Sequence, residues 1–111
     1  MNIRIDEHGT LCVVEIDGEF AGDSVEPLRR ACFDRLDSGV RDLILDLSST
    51  TLVDSAALET MLDLADAASD RRGRCMLAAP EDAIRSILAV TRLHEHLEVH
   101  DAVDIAARTI R

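Results

Sequence analysis

The chain has 111 residues, which is enough for one domain with its own hydrophobic core and leaves little room for accessory modules. It carries 22 acidic against 12 basic residues, so a formal charge of −10 repels nucleic acid and anionic membranes and favours a basic protein partner. Aromatic residues make up 2% of the chain, which excludes an aromatic platform for stacking bases.

The cysteines and the hydropathy pattern predict a cytoplasmic protein. Cys12, Cys32 and Cys75 are odd in number, far apart and set among aliphatic residues, which indicates reduced, buried thiols. No apolar stretch approaches the ~20 residues that a membrane helix needs, and the N-terminus lacks a signal-peptide core. We therefore expect no direct membrane insertion. A monomer or weak homodimer is expected, although no motif in the sequence determines the oligomeric state.

The first half of the chain predicts two strands, a helix and a third strand. Two β-prone runs between Ile3 and Ile16 flank the turn signal His8-Gly9, which predicts a hairpin. From Asp23 a helical apolar stripe follows, with Gly39 after its end. The inward residues of this helix are Val25, Leu28, Cys32 and Leu36. "DLILDL", residues 42 to 47, predicts a central strand.

The second half repeats the alternation of helix and strand. A helix is predicted from Asp54 or Ser55 to Gly73, with the arginines at 71, 72 and 74 as its solvated end and an inward face of Leu58, Met61, Leu62, Ala65 and Ala68. A strand at 75–79 precedes a helix that Pro80 opens, with an inward face of Ile84, Ile87, Leu88 and Thr91. A strand at 97–100 and a last helix from Asp101 follow, with an inward face of Val103, Ala106, Ala107 and Ile110.

This alternation predicts a single α/β domain over residues 1–111, in the order β-β-α-β-α-β-α-β-α, with a mixed sheet and an antiparallel N-terminal hairpin. In open α/β sheets functional groups gather where strand ends feed helix starts. The most polar such junction in this chain is the segment 48–58. It is therefore the candidate functional site.

The segment "LILDLSSTTLVDSAALETML" resembles the signature of the STAS domain, the family of bacterial anti-sigma factor antagonists. The usual form is an aliphatic strand, a short loop and then Asp-Ser-Ser-Gly-Leu-Gly opening a helix. "VVEIDGEF" resembles the family's second strand and turn, and "AVTRLHEHLEVHDAVDIA" resembles its C-terminal strand and helix. The three segments occur in the family's order and together span the whole chain.

The resemblance implies a STAS fold, with one mixed sheet and helices mainly on one side, and a binding protein with no cofactor. Such an antagonist binds an anti-sigma factor, often a serine kinase, and frees a sigma factor for transcription. Phosphorylation of the second hydroxyl residue in the Asp-Ser-Ser-Gly motif reverses the binding. The corresponding partner-binding residues of this chain are Ser49, Thr50, Asp54, Ser55, Ala56, Ala57, Leu58 and Glu59.

This chain departs from the family at the phosphoacceptor, where it has Ala56, and an alanine methyl cannot accept a phosphoryl group. A first interpretation is a constitutive, unphosphorylated-like protein that is controlled by its abundance. A second is that a neighbouring hydroxyl accepts phosphate, foremost Ser55 or Thr51, with Ser48, Ser49 and Thr50 as further candidates. A third is a role outside sigma regulation, such as an accessory subunit of an ABC-type phospholipid transporter.

Other motifs in the sequence predict ordinary structural roles and no enzyme. Asp54 suits a helix N-cap. Asp54 and Ser55 are not predicted to form a hydrolase site, because the sequence places no histidine base beside them and has no Gly-x-Ser-x-Gly elbow. His94, His96 and His100 lack accompanying cysteines, so we interpret them as exposed loop residues and predict no metal. The carboxylates spaced along the second helix indicate a solvated face, with a recognition stripe for a basic partner as the alternative; they are Glu59, Asp63, Asp66 and Asp70.

Overall fold

The computed structural model describes residues 1–110, which form one six-stranded sheet and four helices. The strands are β1 (Asn2–His8), β2 (Leu11–Phe20), β3 (Asp42–Asp46), β4 (Thr50–Val53), β5 (Cys75–Ala78) and β6 (Glu98–His100). The helices are α1 (Val25–Asp37), α2 (Ser55–Asp70), α3 (Asp82–Val90) and α4 (Val103–Arg108). The predicted α/β class is thereby confirmed.

The main path of the sheet runs β1-β2-β3-β5-β6, with β1 antiparallel to β2 and the other neighbours parallel. Gly9 turns the β1–β2 hairpin in the left-handed region, at φ 64°, which an L side chain adopts only with strain. Helices α1, α2 and α3 connect the strands. All four parallel strands on this path therefore end at one edge of the sheet, where the candidate site lies.

The predicted element order lacked strand β4. The first half of β2, up to Glu15, pairs with β3, whereas Gly18 to Phe20 pair with β4 across an irregularity at Gly18. Gly18 has φ 105°, and its N–H donates to Ser49 O at 2.9 Å. Strand β4 has only four residues and lies directly before a helix, so its sequence pattern cannot be distinguished from that of a loop.

The larger core lies between the sheet and α1, α2 and α3, and a smaller one lies under α4 on the opposite face. Leu43, Ile44 and Leu45 of the central strand are all fully buried, because both faces of the sheet are covered there. Helices thus pack mainly on one side, as the family resemblance implied. The three cysteines are buried and unpaired, which confirms the predicted buried thiols.

The predicted inward face of α2 needs correction. The α1 face is as predicted. On α2, Met61 and Ala68 are buried as predicted, whereas Leu58, Leu62 and Ala65 are only half-buried, at the margins of the core. The buried face of α2 is Ala57, Thr60, Met61, Leu64, Ala67 and Ala68. The predicted face and the observed face both have the apolar spacing of a helix, because the segment is so rich in aliphatic residues. Packing against α1 and β5 buries the face with more small residues.

The two C-terminal helices are shorter than predicted. Helix α3 begins at Asp82 and not at Pro80, because its N-cap, Glu81, has an extended backbone at φ −64° and ψ 160°. Thr91 was assigned to the α3 core face, but it is exposed after the helix end. Helix α4 begins at Val103, and its fully buried residue is Ala106.

Candidate partner-binding surface

Asp54 is the N-cap of α2, as the sequence predicts. Its backbone is extended at φ −112° and ψ −177°, and its Oδ1 accepts the N–H of Ala57 at 2.9 Å. This bond satisfies one of the donors that the first turn of a helix leaves unpaired.

The other carboxylate oxygen of Asp54 joins α2 to the turn that follows β2. Oδ2 accepts the N–H of Gly22 at 2.8 Å, although the two residues are 32 positions apart. The bond from Gly22 and then that from Ala57 are the main causes that lower the pKa of Asp54 below its usual range. Asp54 therefore stays ionised at neutral pH. Its two hydrogen bonds hold the turn at Gly22 next to the start of α2.

The turn at Gly22 is itself held by local bonds. Gly22 has φ 57°, and the Ser24 hydroxyl accepts the N–H of Ala21 at 3.1 Å. The same hydroxyl oxygen lies 2.6 Å from Ala21 O and 2.9 Å from Glu19 O. Sequence reasoning marked this turn as a family feature but gave no signal that it contacts Asp54.

Six of the eight predicted binding residues are accessible, in the first turns of α2 or just before the helix, and two are buried. Ser49, Ser55, Ala56 and Glu59 are exposed, and Asp54 and Leu58 are half-buried. Thr50 and Ala57 are fully buried, so their assignment to the contact surface is corrected. We call the six accessible residues, together with Leu52, the α2 patch.

The two buried residues have structural roles. The Thr50 hydroxyl donates to Ile16 O at 2.7 Å, which ties β4 to β2, and Ala57 packs in the larger core. Of the predicted alternative phosphoacceptors, Ser55 and Thr51 are exposed, whereas Thr50 is not.

Leu52 is a member of the α2 patch that sequence reasoning missed. Its side chain is 45% exposed on β4, two residues before Asp54. The inward–outward alternation of a strand is interrupted here, because Thr51 and Leu52 are both exposed while Thr50 and Val53 are buried. A large exposed aliphatic side chain beside a helix start provides apolar contact area.

The remaining motifs are the three histidines and the acidic stripe on α2. No group of three His, Cys, Asp or Glu in residues 1–110 is arranged to hold a metal ion. His94 is exposed with its Nδ1 3.1 Å from Leu88 O, and His96 is exposed, but His100 is half-buried, contrary to the prediction. Asp63 of the acidic stripe forms an ion pair with Arg29 at 2.6 Å.

The arginine cluster after α2 is not simply solvated, which corrects its prediction. Arg71 pairs with Asp37 at 2.7 Å and Arg74 pairs with Glu98 at 3.0 Å, so these side chains link α1 and β6 to the end of α2. Arg72 is exposed.

None of the helices within residues 1–110 has both the length and the apolar composition required to cross a membrane.

The strand order and the helices define a small α/β domain with one mixed sheet. The profile of the STAS domain matches residues 2–106, and the chain belongs to the STAS domain family. The family expected from the sequence is thereby confirmed. No curated protein sequence matches the chain significantly.

Solved structures share this fold at low sequence identity. A candidate anti-sigma factor antagonist from Thermotoga maritima has TM-score 0.92 and 19% identity, over 98% of this chain and 94% of that one. The Bacillus anti-sigma factor antagonist SpoIIAA, unphosphorylated, has TM-score 0.88 and 17% identity, over 99% and 96%. A sulfate transporter family protein from Wolinella succinogenes has TM-score 0.71 and 17% identity, over 87% and 81%.

Proposed function

We propose that this protein is a cytoplasmic, bacterial anti-sigma factor antagonist that sequesters an anti-sigma factor of the serine kinase type and so frees a sigma factor for transcription. The observation that carries the proposal is the Asp54 carboxylate, which holds the Gly22 turn and the start of α2 together beside exposed Leu52 and Ala56. A fixed patch of this kind suits docking, because few groups need to be ordered on binding.

The chemistry of the patch supports control by abundance and not by phosphorylation. Ala56 stands where the family places its phosphoacceptor, and its methyl group is exposed at the second position of α2. A phosphate there would add charge to the docking surface and oppose binding. Without the hydroxyl, the protein stays in its binding form.

Affinity capture with matched charge variants tests the docking surface. Ala56→Glu places a negative charge in the α2 patch, and Ala83→Glu places one at the equivalent, exposed second position of α3. We expect wild type and Ala83→Glu to capture the anti-sigma factor from the native cell, and Ala56→Glu to lose at least about tenfold in affinity. Equal capture by both variants would place the interface elsewhere.

Phosphorylation is tested separately, with the captured kinase and ATP. Wild-type protein should gain no mass, whereas Ala56→Ser should gain one phosphoryl group and then release its partner. Ala83→Ser is the control and should behave as wild type. Stoichiometric phosphate on Ser55 or Thr51 of the wild type would contradict the constitutive interpretation.

A second candidate function is an accessory subunit of an ABC-type phospholipid transporter. The exposed Ala56 favours it, because such a subunit binds its ATPase without being phosphorylated. The fold is also similar to that of a sulfate transporter family protein. Capture of a transporter ATPase, in place of a kinase-like protein, would favour this candidate, and neighbouring transporter genes would agree with it.

A further inference from the structure

A polar cleft of about 220 Å³ lies at the edge of the sheet opposite the α2 patch. Its walls come from the start of β3, the α2–β5 loop and the end of α4, and they consist of Arg41, Asp42, Arg72, Arg74, Thr109 and Ile110. Because β3 and β5 are parallel, their first residues share this edge, whereas the α2 patch lies where strands end. The cleft is thus separate from the proposed docking surface.

Backbone packing brings the arginine-bearing loops together. A Cβ added to Gly73 would lie 1.8 Å from Arg41 O, so only glycine allows the α2–β5 loop to approach so closely. The N–H of Arg74 donates to Asp42 Oδ1 at 2.9 Å, and the N–H of Leu43 donates to Arg74 O at 2.8 Å. Arg41 and Arg72 are consequently held on adjacent backbones.

Asp42, which lines the cleft, and Glu98, which contacts the lining residue Arg74, already have hydrogen-bond partners. Asp42 is buried and accepts the Arg74 N–H, and Glu98 pairs with Arg74 Nη1 at 3.0 Å. The other Arg74 nitrogen, Nη2, donates to Thr109 O and to its hydroxyl, at 2.9 and 2.8 Å. The Arg74 side chain is therefore occupied by contacts within the protein, which hold Glu98 and Thr109 in position beside the cleft.

Arg41 and Arg72 remain as the charges available to a ligand. Both are exposed, and neither lies within 4.0 Å of a carboxylate belonging to residues 1–110. Arg41 makes one long contact, from Nη2 to Thr10 Oγ1 at 3.4 Å. Arg41 and Arg72 differ from other exposed arginines without a carboxylate partner in residues 1–110, such as Arg4 and Arg92, because they line the same cleft.

We propose that this cleft binds a small dianionic oxyanion, a phosphate or the phosphoryl group of a small phosphomonoester, between Arg41 and Arg72. Planar guanidinium groups donate paired hydrogen bonds that match phosphate oxygens. The volume lies below the roughly 300–1,000 Å³ of pockets that enclose drug-sized ligands, which favours a small anion over a whole nucleotide. The proposal does not depend on which partner the α2 patch binds.

Titration of the full chain with inorganic phosphate, followed by amide NMR shifts against sodium chloride at equal ionic strength, tests the proposal. We expect saturable shifts at residues 41–43, 72–74 and 109. The double variant Arg41→Gln/Arg72→Gln should raise the dissociation constant at least about tenfold, because it removes both charged donors. Its amide spectrum without phosphate verifies that it is folded.

The matched control is Arg4→Gln/Arg92→Gln, which removes two exposed arginines that lie outside the cleft and also have no carboxylate within 4.0 Å in residues 1–110. It should keep wild-type phosphate affinity. Glycerol 3-phosphate is the second arm: tighter binding than inorganic phosphate identifies a phosphomonoester, and weaker binding identifies the free anion. Non-saturable shifts, or equal loss of affinity in both double variants, would overturn the site.

Discussion

At the residue scale, Asp54 determines the shape of the α2 patch, because its two carboxylate oxygens accept N–H groups from two separate segments. A neutral side chain with one acceptor oxygen cannot reproduce this arrangement. The same residue therefore contributes both to the start of α2 and to the position of the Gly22 turn.

Substitution of Asp54 should lower stability in a graded way. Asp54→Ala removes both bonds and should lower the Tm by several degrees, whereas Asp54→Asn keeps one acceptor and should lie between it and the wild type. The control is Glu81→Ala, because Glu81 precedes α3 without a side-chain cap bond and its loss should change little. Thermal unfolding followed by circular dichroism measures the series.

The Asp54 contribution should depend on pH in a defined direction. The folded-state pKa lies below the ordinary value of 3.8, so the carboxylate stabilises the fold above that value. This stability is lost as the pH falls from there through the lower folded-state pKa. The Tm difference between wild type and Asp54→Asn should be full at neutral pH and shrink in acid; a difference independent of pH would contradict an ionic contribution.

Thr50 fixes the strand that leads into the patch. Thr50→Val keeps the shape but removes the hydroxyl that donates to Ile16 O, which should cost about 1–3 kcal/mol in the free energy of unfolding. Thr51→Val, at the neighbouring exposed position, should change it by less than about 0.5 kcal/mol. Urea denaturation of both variants measures the difference, and equal effects would show that the buried bond is unimportant.

At the element scale, the hairpin, α1, β3 and the start of α2 follow from the sequence, because each has a clear apolar period or a cap. Strand β4 does not, since four residues next to a loop carry too weak a pattern. The inward face of α2 is likewise ambiguous from periodicity and is decided by the small residues that pack on α1 and β5.

The close approach of the α2–β5 loop to the start of β3 is also set at this scale. Gly73→Ala would force a Cβ against Arg41 O, at 1.8 Å, so we expect a loss of about 1–3 kcal/mol in the free energy of unfolding. Gly9→Asn is the control, because asparagine tolerates the left-handed backbone of the hairpin turn and nothing lies within 4 Å of its Cβ position. Urea denaturation compares the two, and a Gly73→Ala variant as stable as wild type would refute the tight contact.

At the scale of the whole molecule, the core shields all three thiols. Burial raises the pKa of Cys12, of Cys32 to about 12, and of Cys75 further still. Since the thiolate is the reactive form, all three should be inert to Ellman's reagent in the folded protein and react together in urea. Ser55→Cys, at an exposed position, should add one thiol that reacts at once; rapid reaction of wild type would contradict the packing.

The sequence by itself determined the α/β class, the family and most of the helices and strands, because these depend on local periodicity, caps and a contiguous motif. It also placed Ala56 at the position where the family resemblance implies a phosphoacceptor. Only the tertiary structure decided that Thr50 and Ala57 are buried, that Leu52 is exposed, and that Asp54 binds Gly22. It also brought Arg41 and Arg72 to one cleft. The Asp54–Gly22 bond and the cleft join residues about 30 positions apart in the chain. Such contacts, like the burial of single residues, follow from how the elements pack, which no local pattern encodes.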